Sequence, residues 1–285
     1  MASTLHCGAF KFSLERPLVV GIVNVTHNSF SDGGRFLDPS RAIAHGLGLR
    51  GDGADLIDVG GESTRPHAEP VALEEELRRV MPIIEALARE GVAVSVDTMK
   101  PAVMRAAVDA GACMVNDVNA FRVPDAIDAV ARSGVAVCAM HMQGTPATMQ
   151  VDPRYDDVVA EVAAFLRGRA SALEAAGIDA GRIVIDPGFG FGKTLAHNIA
   201  LFRALPALAA IGYPVLAGLS RKRSIGDITG RAVDERMAGS VAAALLAAQN
   251  GASLVRVHDV KETVDAIKVW RALGSDPLSG VGPRI

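Results

Sequence analysis

The sequence predicts an α/β fold, a (β/α)8 TIM barrel with a short N-terminal β-hairpin that closes its bottom. Eight short runs of β-branched and apolar residues each end in a polar cluster, and a stretch with helical patterning follows each one. A single alternating series of this kind favours parallel βα units. The length of 285 residues suits one such barrel, which typically has about 250 residues, with short additions. Because no linker-like segment divides the chain, we predict one domain over residues 1–285.

The elements begin with an alternation of apolar and polar residues over residues 5–14, which predicts the hairpin. The barrel strands are predicted at residues 19–25, 56–59, 92–96, 114–115, 135–140, 183–185, 215–216 and 254–257. The helices are predicted at residues 40–50, 73–89, 101–109, 124–132, 155–176, 195–208, 234–249 and 260–273. The carboxyl ends of parallel barrel strands form one face, so we expect the polar clusters to converge on one mouth.

Composition excludes several classes of partner and location. With 29 Lys and Arg against 32 Asp and Glu, the net charge of -3 gives no general attraction to nucleic acid. Cys7, Cys113 and Cys138 have no CxxC spacing, so we expect buried thiols in a reducing compartment. The N-terminus lacks the apolar core of a signal peptide, and no apolar run approaches the roughly 20 residues that span a bilayer. We therefore expect a cytoplasmic protein without a membrane partner.

Two long polar segments follow the first two barrel strands. Residues 24–38 read NVTHNSFSDGGRFLD and residues 60–71 read GGESTRPHAEPV. Both are longer than the usual connection between a strand and a helix, and long loops of this kind often serve as lids. They predict an enzyme that closes over an intermediate needing protection from water, with solvated surface loops as the alternative.

Four polar side chains at strand ends suit a flat heterocycle. The four are Asp97, Asn116, Asp186 and Lys222. Two carboxylates, one amide and one ammonium match the donors and the carbonyl acceptor of a 2-amino-4-oxo pyrimidine edge. Met140 and Phe191 could supply apolar walls for the ring, although core packing alone would explain either. Any one of the four polar residues could also be a satisfied group at the end of the barrel.

Arg256 and His258 leave the last strand on the same face. The eighth strand of a closed barrel pairs with the first, which places both residues near Asn24. Arginine and histidine can bind phosphate oxygens, and the Asn24 oxygen suits Mg²⁺, which usually keeps waters and substrate phosphates as ligands. We infer a Mg²⁺-diphosphate site, with a salt bridge to a carboxylate as the alternative for Arg256. Zinc is not favoured, because no His/Cys set has ligand spacing.

The helix predicted at residues 234–249 has almost no polar face. Its sequence after Asp234 contains Met237, Val241, Leu245 and Leu246 among many alanines. One side should pack on the barrel, and the other side needs cover. We therefore predict a homodimer built partly on this helix. Burial beneath neighbouring helices of the same subunit is the alternative.

The chain resembles the dihydropteroate synthases, the folate-pathway enzymes that sulfonamides inhibit. The resemblance covers almost the whole chain. It rests on the segments NVT, SFSDGG, GGESTRP, SVDT, NDV, MHMQGTP, DPGFGFGK, SRK and RVHD, which occur in the family's order. It implies the condensation of 6-hydroxymethyl-7,8-dihydropterin diphosphate with 4-aminobenzoate, which yields 7,8-dihydropteroate and diphosphate.

The resemblance also implies a role for each matching residue. It gives Asn24 as the Mg²⁺ ligand, and it gives as diphosphate binders Thr64, Arg256 and His258. The implied pterin binders are Asp97, Asn116, Asp186 and Lys222. The implied aminobenzoate pocket and lids comprise Phe30, Ser31, Asp32, Ser63, Arg65, Pro66 and Arg223. In the implied mechanism the C–O bond breaks first, and Asp97 stabilises the cationic pterin methylene until the arylamine attacks.

This chain departs from the family pattern at three places. The family commonly has Pro-Asp where this chain has His27 and Asn28, glycine where it has His67, and often serine where it has Arg223. These changes leave a weakly active paralogue, or the pterin module of a methyltransferase system, as alternatives. A P-loop hydrolase fails, because its motif needs glycine at the position of Pro187.

Overall fold

The structure, a computed structural model, describes residues 4–25, 38–64 and 68–274. Strands β1 (Thr4–Cys7) and β2 (Phe10–Ser13) form an antiparallel hairpin. The barrel strands are β3 (Leu18–Asn24), β4 (Leu56–Gly60), β5 (Val94–Asp97), β6 (Met114–Asp117), β7 (Ala136–Met140), β8 (Ile183–Asp186), β9 (Leu216–Ala217) and β10 (Leu254–Val257). The predicted fold class is confirmed.

The eight barrel strands are parallel and follow chain order around the sheet, with β10 between β9 and β3. A parallel bridge between Ile185 and Val215 connects β8 to β9, so that the sheet closes on itself. The predicted pairing of the last strand with the first is confirmed, since Arg256 lies opposite Val20. Closure leaves no sheet edge and brings all the carboxyl strand ends to one rim.

The hairpin covers the amino ends of the barrel strands, as predicted. Leu5 and Cys7 are fully buried against the first residues of the strands, which include Leu18 and Leu254. The N–H of Gly8 also donates to Gly134 O at 3.1 Å. The three cysteines are buried thiols, as the sequence predicts. Among the described residues, this end of the barrel is filled with side chains, so we expect the mouth at the carboxyl ends of the strands.

The helices of the structure are α1 (Pro39–Gly51), α2 (Leu73–Arg89), α3 (Pro101–Asp109), α4 (Ala126–Val130), α5 (Val158–Ala175), α6 (Leu195–Arg203), α7 (Leu205–Ala209), α8 (Arg223–Thr229), α9 (Met237–Gln249) and α10 (Val260–Gly274). Side chains that cap the first turn determine where two of these helices start. Asp38 accepts from the Ser40 N–H at the start of α1, and Asp157 caps α5. No helix within the described ranges is long and apolar enough to cross a membrane.

The helices of the structure differ from the predicted ones at several places. The predicted helix at residues 195–208 is two helices, because Pro206 has no N–H to continue the first ladder of hydrogen bonds. The predicted helix at 124–132 starts only at Ala126, because Asp125 has a φ of 66°. Helix α8 was not predicted, because its seven residues follow directly after a cluster that was assigned to the mouth.

Candidate active site

The polar residues predicted at the strand ends surround one mouth of the barrel. Asn24 ends β3 and pairs with Gly60, which in turn pairs with Asp97 on β5. Asp97 pairs with Asn116 on β6, so one row of the sheet carries all three polar side chains. A Cβ atom on Gly60 would lie 3.4 Å from Asp97 Cβ and 3.7 Å from Asn24 Oδ1. Glycine at this position therefore keeps open the space that Asn24 and Asp97 share.

Arg256 lies at the centre of the buried charge. Its Nε donates to Asp58 Oδ2 at 2.6 Å, and its Nη2 donates to Asp97 Oδ2 at 2.9 Å. Asn116 Nδ2 donates to the same Asp58 oxygen at 3.2 Å. Because β10 and β6 are not neighbours of β4, these contacts cross the barrel interior. The structure thus shows the salt bridge that was the alternative for Arg256, and its contact with diphosphate stays a prediction.

Asp58 is a site residue that sequence reasoning missed. Its side chain is 1% exposed, and it lies within LIDVG, a strand whose residues are all buried. A carboxylate in such a strand requires charged or hydrogen-bonding partners, and this requirement was the signal that could have identified it. Among the residues that the structure describes, Asp58 Oδ1 and Asn116 Oδ1 are buried without a hydrogen-bond partner. Both oxygens can therefore accept from the N–H groups of a ligand.

Burial and charge act in opposite directions on this cluster. Burial raises the pKa of Asp97 to about 7, although Arg256 opposes the rise, and Asp58 adds to it through like-charge repulsion. Burial by itself lowers the pKa of Arg256, but Asp58 and Asp97 together raise it above its ordinary value. Arg256 consequently remains a cation, while Asp97 changes its protonation state near neutral pH.

A second charged group lies at the end of β8 and on the loop after β9. Asp186 accepts from the Gly188 N–H at 2.7 Å, and burial raises the pKa of Asp186 while Lys222 opposes the rise. Lys222 Nζ donates to Phe189 O and lies 4.7 Å from the centre of the Phe191 ring. Burial also lowers the pKa of Lys222 to about 8, against the attraction of Asp186. A carboxylate, an ammonium and an aromatic face thus occur together.

The apolar residues predicted for the site lie beside this group. Met140 pairs with Asp186 in the sheet, and Phe191 packs against the cluster of buried side chains that includes Met140. The turn that leads from Asp186 to Phe191 requires glycine at position 188. A Cβ atom on Gly188, whose φ is 67°, would lie 1.9 Å from His141 O. The close approach of these two backbones places Phe191 and Met140 on one wall.

The loop after β9 connects the two charged groups. A Cβ atom on Gly218 would lie 3.8 Å from both Arg256 Cβ and Lys222 Nζ. Ser220 Oγ lies 3.0 Å from His258 Nδ1 and also accepts from the His258 N–H at 3.2 Å. His258, Arg256 and Lys222 therefore line the same part of the mouth.

Three further predicted residues are described by the structure. Ser63 and Thr64 are half-buried on the segment that leaves the carboxyl end of β4. Arg223 begins α8, and its side chain is 92% exposed with Nε 3.6 Å from Asp227 Oδ2. The structure does not bring Arg223 into the charged cluster, so its part in an aminobenzoate pocket stays a prediction.

The remaining predicted pocket and lid residues lie outside the described ranges. They are Phe30, Ser31, Asp32, Arg65 and Pro66, together with His27, Asn28 and His67 from the departures discussed above. Their predicted roles stay predictions.

The donor set near Asn24 decides which kind of metal site is possible. In residues 4–25, 38–64 and 68–274, no cluster of three His, Cys, Asp or Glu side chains is arranged to hold a metal ion. Asn24 Oδ1 and the carboxylate of Asp97 do face one space beside Gly60. Such a set fits a hard cation that retains waters and substrate oxygens, and it does not form a cage made by protein alone.

Comparison with known proteins relates this mouth to a known chemistry. A family model described as pterin binding enzyme matches residues 20–258. The dihydropteroate synthase of Neisseria meningitidis serogroup B is 50% identical over 276 residues, covering 94% of this chain and 97% of that relative. The structure of Xanthomonas albilineans dihydropteroate synthase with 4-aminobenzoic acid has a TM-score of 0.91 and 58% identity, covering 97% of this chain and 100% of that one. A structure of the same organism's synthase with 7,8-dihydropteroate has a TM-score of 0.88 at 56% identity, covering 96% and 100%.

The pKa of Asp97 generates a prediction about stability without ligand. In the folded protein Asp97 keeps its proton up to about pH 7, whereas the unfolded chain releases it near the ordinary value of 3.8. Between these values the folded state binds more protons, so the free energy of unfolding should fall as pH rises. In the wild type, the free energy of unfolding should fall by on the order of a few kcal/mol between these two pH values. Asp97→Asn should remove this fall, because the amide does not titrate.

Urea unfolding of the wild type and the variant at several pH values measures this effect. Asp265→Asn, at an exposed carboxyl on α10, controls for the change in net charge. If the free energy of unfolding changes with pH in the same way for the wild type and for Asp97→Asn between pH 4 and pH 7, the raised pKa of Asp97 is contradicted.

Proposed function

The chain belongs to the dihydropteroate synthase family, and from this premise we propose how the barrel mouth carries out the family's reaction. The protein is a transferase that joins 6-hydroxymethyl-7,8-dihydropterin diphosphate to 4-aminobenzoate, forming 7,8-dihydropteroate and diphosphate. The observation that carries the assignment of the site is the buried cluster of Asp58, Asp97 and Arg256. It places two carboxylates and one guanidinium beside acceptors that suit a pterin.

The pterin ring binds between the two charged groups. Asp186 and Asn116 Oδ1 accept hydrogen bonds from the ring amino group and N–H groups, and Lys222 donates to the ring carbonyl oxygen. Both carboxylate and amide are buried, so a hydrogen bond that they make to the ring is not weakened by competing water. Met140 and Phe191 cover the ring with apolar surface. The match between donors and acceptors selects a pterin over rings that lack a guanine-like edge.

Asp97 stabilises the positive charge that develops on the pterin methylene. The C–O bond to diphosphate breaks before the arylamine attacks, and the methylene is then a delocalised cation. Two opposite unit charges about 4 Å apart attract each other by about 4 kcal/mol at an effective dielectric constant of 20. This attraction acts only while the cation exists, so it lowers the activation barrier. A lowering of about 4 kcal/mol would raise the rate by up to about a thousandfold. The neutral aniline nitrogen of 4-aminobenzoate is already nucleophilic and needs no strong base.

The leaving diphosphate binds near the end of β10. His258 donates to a phosphate oxygen, and the hydroxyl of Ser220 holds the imidazole in place from Nδ1. Arg256 uses Nε and Nη2 on carboxylates, so its contribution to phosphate binding comes through Nη1 and through its charge. Thr64 donates its hydroxyl from the loop after β4. The aminobenzoate enters beside Lys222 and Arg223, whose exposed guanidinium holds the substrate carboxylate at the rim.

Mg²⁺ is the cofactor that this site accepts with the substrate. Asn24 supplies one oxygen ligand, and waters and diphosphate oxygens supply the others. When bound, the ion neutralises charge on the departing diphosphate.

A pterin module without transfer activity is not favoured over the synthase. The similar proteins carry the synthase name, and one of them is described in complex with 7,8-dihydropteroate. The reducing cytoplasm, inferred from the sequence, remains the proposed location.

The protein is also proposed to form a homodimer through α9 and its neighbours. Ser240, Ala244 and Ala247 of this helix are buried against the subunit, whereas Met237 and Leu246 remain 43% and 48% exposed. Ile228 on α8 and Val233 just before α9 are exposed too. We call these four exposed residues the α9 patch. Exposed apolar side chains on α8, on α9 and just before α9 favour an interface with a second copy.

The reaction is tested by mixing the protein with Mg²⁺, the pterin diphosphate and 4-aminobenzoate and measuring diphosphate release. The wild type should release diphosphate in step with dihydropteroate formation. Asp97→Ala should lower kcat by at least tenfold, because a shift of about 1.4 kcal/mol already corresponds to that factor. The same variant should bind inorganic diphosphate almost as tightly as the wild type. Asp109→Ala, an exposed carboxylate at the end of α3, is the matched control.

Pterin binding without release by the wild type would favour the module over the synthase. If kcat of Asp97→Ala stays within about threefold of wild type, a shift below roughly 1 kcal/mol, the role of Asp97 is wrong.

The metal proposal predicts a separate effect at Asn24. Asn24→Ala should raise the Mg²⁺ concentration that gives half-maximal activity several-fold, because one oxygen ligand is lost. Asn24→Asp keeps an oxygen and adds charge, so it should not raise this concentration. Identical Mg²⁺ titrations of the wild type and Asn24→Ala would show that this side chain is not a ligand.

Light scattering at micromolar concentration tests the dimer. The wild type should have about twice the chain mass of 29.6 kDa. Leu246→Glu should shift it to the monomer, because a charge would be buried in the α9 patch. Leu47→Glu changes an exposed leucine on α1 and should leave the dimer intact. A monomeric wild type would remove the proposal.

A further inference from the structure

Three consecutive residues in the loop after β9 each contact a different part of the mouth. Ser220 contacts the imidazole of His258, and Lys222 reaches the loop after β8 through Phe189 O. Arg221, between them, is the residue to which the proposed function gives no role. Its position makes it the connection between the pterin end and the diphosphate end of the site.

The backbone of Arg221 is held in a conformation that L-residues seldom adopt. Its φ is 56°, in the left-handed region, where the Cβ atom of an L-residue crowds the backbone. Two residues near the start of α9 hold it there. The Arg221 N–H donates to Ser240 Oγ at 2.9 Å, and Arg236 Nη1 donates to Arg221 O at 3.1 Å. A strained backbone that is held from both sides is commonly part of a functional arrangement.

The side chain of Arg221 binds the residue after His258. Its Nε and Nη2 donate to the two carboxylate oxygens of Asp259 at 3.2 and 2.5 Å. The carboxylate is 8% exposed, and Asp259 O accepts from the Thr263 hydroxyl at 2.7 Å. A bidentate pair between a planar guanidinium and a carboxylate fixes both distance and orientation. The loop after β9 is therefore tied to the end of β10.

We propose that Arg221 is a positioning residue, which through Asp259 sets the separation between Lys222 and His258. The proposal rests on the proposed function, in which Lys222 binds the pterin and His258 binds the diphosphate. Arg221 touches neither part of the substrate. It holds the two subsites at the spacing that one pterin diphosphate molecule spans.

A fixed spacing between the subsites affects ligands that fill both subsites differently from ligands that fill one, whereas a general loss of stability would affect both kinds of ligand. A ligand that fills both subsites loses affinity when their separation changes, because it can no longer make both sets of contacts in one geometry. A ligand that fills one subsite is indifferent to that separation. Loss of Arg221 should therefore weaken the binding of pterin diphosphate selectively.

The experiment compares Arg221→Met with Arg16→Met. Arg16 forms a similar bidentate pair with Asp55 at the opposite end of the barrel, with side-chain exposures of 42% and 11% against 38% and 8% for the Arg221 pair. Titration calorimetry with Mg²⁺ measures the Kd of pterin diphosphate, of 6-hydroxymethylpterin and of inorganic diphosphate. Arg221→Met should weaken pterin diphosphate binding by about tenfold or more and the two fragments by less than about twofold. Arg16→Met should change none of the three.

Two further variants guard against a folding defect. Asp259→Asn removes the other partner's charge and should reproduce the selective loss, whereas Arg221→Lys keeps a charge and should recover part of it. Equal losses for all three ligands, or no loss for pterin diphosphate, would overturn the positioning role. Crystal structures of the wild type and Arg221→Met decide it independently of turnover. If the separation of Lys222 and His258 is the same in both structures, the positioning role of Arg221 is wrong, whereas the proposed reaction is not contradicted.

Discussion

The ion cluster around Arg256 is the constraint on which the rest of the mouth depends. A guanidinium placed inside a barrel loses most of its hydration, and removal of one partner from a buried pair typically costs about 3–5 kcal/mol. Asp58 and Asp97 offset this loss, and Asn116 donates to the same Asp58 oxygen as Arg256. Because these residues come from four strands, the cluster forms only when the barrel closes. The buried ion cluster and the closed sheet therefore form together.

Burial separates the charged groups of the mouth from bulk water and favours the neutral forms of Asp97 and Lys222. The pKa of Asp97 is raised to about 7 and that of Lys222 lowered to about 8, in both cases chiefly by burial. Each group therefore titrates near neutral pH. A ligand with its own charge can shift both equilibria, since an added cation favours the Asp97 carboxylate.

The sequence was sufficient to predict which strand ends meet, but it was insufficient for the pairing of the charges. Asn24, Asp97, Asn116 and Asp186 follow buried strands directly, so the direction of a parallel strand determines where they lie. Asp58 sits one residue before the end of the apolar run and looked like part of the strand core. Whether Arg256 meets a carboxylate or a phosphate depends on distances across the closed barrel, which no local pattern encodes. Arg223 shows the same limit at the surface, where a long side chain has no packing to fix its direction.

The alternation of side chains along β4 gives Asp58 a role in specifying the fold. Its neighbours Ile57 and Val59 point outward into the aliphatic layer beneath the helices, while Asp58 points into the barrel. A slip of this strand by one residue would turn the carboxylate into that layer and leave the guanidinium across the barrel with one fewer counter-charge. Misregistered barrels are thereby penalised by the loss of the Asp58–Arg256 contact. The buried charge of Asp58 therefore helps to set the register of β4 when the sheet assembles.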